Sequence, residues 1–145
     1  MKTKELQEKI VKNMKTWQKI EDASVANTGA IMEKTDNPII RTVMEIIQND
    51  SKMHYRVQQF IADSFEKASL SLNIDELNAI SEMVENHLQI EKRMVGLVKE
   101  SLAAIQGKKM LVQEYLLDYL MEDEEKHNRL LENLGKIKSG IYPYA

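Results

Sequence analysis

Cysteine is absent from this chain. That excludes disulfides, thiolate zinc fingers and cysteine-ligated iron–sulfur clusters, and leaves nitrogen and oxygen as the donors for any bound metal. Proline occurs twice and glycine five times in 145 residues, so little in the chain interrupts helices. No apolar stretch approaches the roughly 18 residues of a membrane-spanning helix. The first dozen residues alternate charge with leucine and isoleucine, unlike the apolar core of a signal peptide. A soluble, cytoplasmic protein without a membrane role is expected. Charge of one sign is not concentrated anywhere: the net charge is −3, and the longest acidic run, Glu122 to Glu125, lies inside an amphipathic pattern. Nucleic acid is therefore not the expected partner. A Gly-rich phosphate loop is also missing, which argues against a flavin or nucleotide site.

What is present is helical periodicity. With 43% apolar and 30% charged residues, the chain can bury a core as one domain. Three breaks divide it. Asn37-Pro38 pairs an N-cap with proline at the first helical position. Ala68 to Asn73 ends with Asn73 and Glu76 spaced as a capping box. Gly107 suits the residue just after a helix C-terminus. Helices are expected at about 3–34, 38–67, 74–106 and 108–136, forming a bundle over 1–137, with 138–145 as a C-terminal tail carrying Gly140, Tyr142, Pro143 and Tyr144. Helices of about 30 residues are about 45 Å long, whereas six extended residues reach only about 20 Å. Consecutive helices must then run antiparallel, which gives an all-α, up-down-up-down four-helix bundle.

Three of the four segments carry an aliphatic seam interrupted once, in the middle, by polar residues. The second reads Val43, Ile47, Asp50, His54, Val57, Ile61. The third reads Ile80, Val84, His87, Glu91, Met94, Val98, and the fourth Leu117, Leu120, Glu124, His127, Leu131, Leu134. Residues equally far from an antiparallel turn lie level. A turn at 107.5 sets Glu91 opposite position 124 and His87 opposite 128, and a turn at 71 sets His54 opposite 88. A turn at 36 brings Glu21 and Asp22 of the first segment level with positions 51 and 50. All three histidines of the chain thus fall at one height, each with a carboxylate one turn away. A hydrogen-bonded ionic layer that fixes register is the plainer alternative. It would need a compensating cation, and no lysine or arginine occupies these seams near that height.

A metal pair supplies the compensation. The expected ligands are Glu21, Asp50, His54, His87, Glu91, Glu124 and His127, with Asp22 as the rival to Glu21. So many mixed N and O donors exceed one tetrahedral zinc and suit two ions bridged by carboxylates, iron foremost, with manganese or zinc as alternatives. Tyr55, Tyr115 and Tyr119 lie close in sequence and read as ordinary surface aromatics.

The segment Asp123-Glu124-Glu125-Lys126-His127 resembles the Glu-x-x-His helix of rubrerythrin-like members of the ferritin-like family. The resemblance implies a ferritin-like bundle, with Glu124 as a bridging carboxylate, His127 as a terminal imidazole, and Glu21 and Glu91 as the glutamates of the first and third helices. The chain departs from the pattern at Ser51, where the second helix of that family has glutamate, in the extra His87, and in lacking a long crossover. His87-Leu88-Gln89-Ile90-Glu91 is similar instead to the His-x-x-x-Glu helix of hemerythrin. The first resemblance implies diiron oxidoreductase chemistry of ferroxidase, oxidase or peroxidase type, acting on O₂, peroxide or Fe²⁺ with an external electron donor. The alternatives are reversible oxygen or metal binding, or a structural ion clamp. A homodimer is compatible with either.

Overall fold

The computed structural model describes residues 1–67, 70 and 72–138, Lys138 by its backbone alone. It is all-α. Four helices follow in chain order: α1 Thr3–Glu33, α2 Pro38–Glu66, α3 Ile74–Ile105 and α4 Leu111–Lys138. No strand occurs among the described residues. No described helix is long and apolar enough to cross a membrane. The tail expected from 138 onward falls outside the described residues beyond Lys138 itself.

The helix boundaries follow from cap chemistry. Asn37 accepts from the backbone N–H groups of Ile39 and Ile40 at 2.9 and 3.1 Å, with Pro38 at the first position of α2. Those two bonds satisfy donors that a helix start leaves orphaned. Asn73 does the same for α3 through Asp75 N at 2.8 Å. At the other link, Gly107 takes φ of 76°, the left-handed geometry that glycine adopts without steric cost. The fourth helix then starts at Leu111, three residues later than the sequence suggests. The turn around Gly107 extends through Lys108 and Lys109, and Lys108 N bonds back to Ile105 O at 2.9 Å.

The chain divides into two compact units, Met1–Leu70 and Ser71–Ala145. Each is an antiparallel hairpin in which α1 packs on α2 or α3 on α4. In the first, the buried line is Val11, Gln18, Glu21 and Thr28 from α1 against Ser51, Gln58 and Ala62 from α2. Several of these recur at seven-residue spacing, as a helix pair packed side by side requires. Unusually, most are polar. Ser24 and Ser51 hydroxyls meet at 2.8 Å, and Gln18 Nε2 donates to Tyr55 O and to Gln59 Oε1. The aliphatic seam of α2 read from the sequence is not this line: Ile47, Val57 and Ile61 are 42, 48 and 36% exposed. At the α1–α2 link, Arg41 Nη1 donates to Met32 O and Thr35 O, satisfying carbonyls at the end of α1. The second hairpin is more conventional. Leu77, Leu88, Val95 and Val98 are buried from α3, with Glu91 the one buried acid among them.

Candidate metal centre

The cluster with the most chemistry lies in the second hairpin. Helical spacing stacks His87 one turn before Glu91 on α3, and Glu124 one turn before His127 on α4. The Glu91 side chain is 6% exposed. Its Oε1 contacts His87 Nε2 at 3.0 Å, and its Oε2 lies 3.4 Å from His127 Nδ1. Glu124 Oε2 lies 3.5 Å from the same Nδ1. One donor atom each from Glu91, Glu124 and His127 fall within 4.8 Å of one another. The remaining nitrogen of His127, Nε2, faces Asp123 Oδ2 at 3.4 Å, and Asp123 also pairs with Lys126 at 2.7 Å.

Two acids so close cannot both ionise freely. The contact with Glu91, then burial, then the Glu91 charge push the Glu124 carboxyl above its ordinary value. The same contact, helped by His87 and His127, holds Glu91 below its ordinary value against the opposing effect of burial. Of the pair, Glu124 is the acid that gives up its proton less readily. Glu91 Oε2 and Glu124 Oε2 are buried and have no hydrogen-bond partner among the described residues. A proton or a cation is what such oxygens require. Oxygen and imidazole donors in this number fit a borderline or hard divalent ion.

A smaller cluster occupies the first hairpin. Glu21, 7% exposed, presents Oε1 to His54 Nδ1 at 3.4 Å and to Gln58 Nε2 at 3.3 Å. Asp22 is exposed, so Glu21 is the inward acid of α1. A cavity of about 250 Å³ beside it is lined by Glu21, Asp22, Val25, Ser51, Lys52 and Tyr55.

Of the seven sequence-derived ligands, His87, Glu91, Glu124 and His127 come together in one hairpin, and Glu21 with His54 in the other. Asp50 does not join them. It is exposed, with no hydrogen bond or ion pair among the described residues, while its neighbour Ser51 is buried against Ser24. The cause is helical phase: Ser51 meets Ser24 and His54 meets Glu21, so Asp50, one residue before Ser51, is turned about 100° from the face toward α1. The same contacts put the mirror point of this hairpin between Asn37 and Pro38 rather than at 36. Sequence reasoning passed over Gln58 and Asp123. Each stands four residues from a histidine, and that spacing was the available signal. Compared with protein-family models, characterised proteins and solved structures, the chain matches none.

Proposed function

We propose that this is a metal-binding helical protein whose second hairpin takes a divalent ion through Glu91, Glu124 and His127, with His87 positioning Glu91. The observation that carries the reading is the pair of buried carboxylate oxygens without donors, each within 3.5 Å of one imidazole nitrogen. Its finer form takes about two ions per chain, iron foremost, with Glu21 and His54 as donors to an ion of the first hairpin. The Glu-x-x-His resemblance supports that form. Iron so held would supply one-electron chemistry toward O₂, peroxide or Fe²⁺, and turnover would need an external electron donor. The chain's own part is to set Glu91 between two imidazoles, to hold Glu124 against the same His127 nitrogen, and to orient His127 through Asp123.

The test is an anaerobic titration of chelator-treated protein with Fe²⁺, followed by calorimetry. Saturation near two ions per chain is expected, and Glu124→Ala or His127→Ala should each weaken binding by about tenfold or more. Absence of saturable binding would overturn the proposal. A second reading, reversible oxygen binding, is favoured by the His87–Glu91 contact at 3.0 Å, since that spacing is the one hemerythrin-like helices use. Exposure of the iron-loaded protein to air separates the two. A spectral change reversed by removing oxygen supports the carrier, and consumption of reductant supports the oxidoreductase.

A further inference from the structure

The interior of the first hairpin is a polar line in which nearly every group has found a partner. Ser24 and Ser51 satisfy each other, Thr28 Oγ1 donates to Ser24 O and Val25 O, Gln18 donates twice, and Gln48 Nε2 donates to Val25 O. Gln58 breaks the rule. It is 3% exposed, and its Oε1 is the one buried side-chain oxygen or nitrogen among the described residues of this hairpin without a partner. Rotating the carboxamide does not cure this. The Nε2 donates to Glu21 Oε1 at 3.3 Å, and a flip would set two oxygens against each other while losing that bond. Glu21 thus fixes which way the amide points, and leaves its carbonyl oxygen with a full acceptor capacity and no donor.

Gln58 stands one helical turn after His54 on α2, so both side chains leave the same face toward Glu21. His54 Nδ1 and Gln58 Nε2 converge on the same carboxylate oxygen, at 3.4 and 3.3 Å. We infer that Gln58 is a metal ligand: its Oε1 completes, with Glu21 and the His54 imidazole, an O,N,O donor set for one divalent cation in the first hairpin. A carboxamide oxygen is a neutral, hard donor of the kind that iron, manganese and cobalt accept beside carboxylate and imidazole. The inference rests on the metal-binding reading above, and extends it to a residue that neither helical seam periodicity nor the Glu-x-x-His resemblance picks out. The set carries a single formal negative charge, from Glu21, so a second carboxylate at position 58 should strengthen it rather than spoil it.

The charge at position 58 separates a ligand from a merely positioning residue. Gln58→Glu keeps an acceptor oxygen and loses the donor to Glu21. Gln58→Leu loses both. Cobalt(II) titrations of the full chain, read by calorimetry and by the visible ligand-field bands, compare wild type, Gln58→Glu, Gln58→Leu and Glu124→Ala, with thermal melts of each metal-free protein as the control for folding. Expected is a loss of about tenfold to a hundredfold in cobalt affinity for Gln58→Leu, with Gln58→Glu at or above wild type and its bands altered. Equal weakening of both Gln58 variants would make the residue a clamp on Glu21 and overturn the assignment. Wild-type affinity in both would overturn it as well, while sensitivity to Glu124→Ala kept the second-hairpin site standing. No cobalt binding by wild type would bring down the metal reading itself. If Gln58→Leu does not fold, Gln58→Glu alone decides: weakened binding overturns the inference and retained or tighter binding supports it.

Discussion

Glu91 and Glu124, one on α3 and one on α4, shift each other's carboxyls in opposite directions. Glu124 is pushed up by its contact with Glu91, and Glu91 is held down by that contact and by two imidazoles. The stability of metal-free protein should therefore carry a pH signature. A carboxyl with a raised folded pKa stabilises below its unfolded value and loses that contribution as pH rises through the folded one. Glu91, with a lowered folded pKa, stabilises above its unfolded value and loses it as pH falls. Both contributions coexist near the ordinary glutamate value of about 4.3. Thermal melts across pH, with chelator present, should show the difference between wild type and Glu124→Gln shrinking or reversing as pH rises from there toward neutrality. A difference independent of pH would refute the mutual shift of the two acids.

Metal should reverse that penalty. An ion that binds only folded protein adds about 2.7 kcal/mol at a hundredfold excess over Kd, or roughly 10 °C in melting temperature. The double substitution Glu91→Gln with Glu124→Gln should stabilise the metal-free protein at neutral pH by about 1 kcal/mol, since it removes a forced carboxylate pair. It should also abolish the metal-induced rise. Calorimetric melts of both proteins with and without Mn²⁺ decide it, and a double variant that kept the wild-type response would exclude these acids as ligands.

On α1 and α2 the buried acid should matter and the exposed ones should not. Glu21→Ala is expected to weaken Fe²⁺ binding by about tenfold or more, whereas Asp22→Ala and Asp50→Ala should stay near wild type. Equal losses for Asp50→Ala and Glu21→Ala would mean that α2 turns a different face to the ion.

Gly107→Ala probes the fold apart from the site. A Cβ added there meets nothing within 4 Å, so the cost is the backbone's alone, at φ of 76°. Urea denaturation should register a loss of about 1 kcal/mol, with metal affinity unchanged.

The four helices were legible because their boundaries are written in local chemistry: Asn37 before Pro38, Asn73 before Ile74, Gly107 between two periodic segments. The start of α4 was less so, since Lys108 and Lys109 carry no cap signal and helix propensity alone favours them in either state. In the second hairpin the cluster could be read because polar residues interrupt an aliphatic line, so His87, Glu91, Glu124 and His127 stood out. The same rule failed on α2. There the face that meets α1 is itself polar, and a search for interruptions in an apolar seam selected Asp50 and skipped Ser51 and Gln58. A mirror point displaced past Asn37 added to the error, because short links fix register only to within the residues they contain.

The hydrogen-bonded line from Gln18 to Thr28 has a consequence for alignment. Two greasy helices can slide by a turn and find nearly equivalent contacts, because apolar attraction has no direction. Helices joined through Gln18 to Gln59, Glu21 to Gln58 and Ser24 to Ser51 cannot, since a one-turn slip strands each donor opposite the wrong acceptor. The first hairpin thus behaves as a toothed rack more than as an oil drop. What its teeth hold constant is the meeting of His54 with Glu21, a distance set by chemistry distributed along eleven residues of α1 rather than by the four-residue link at its end.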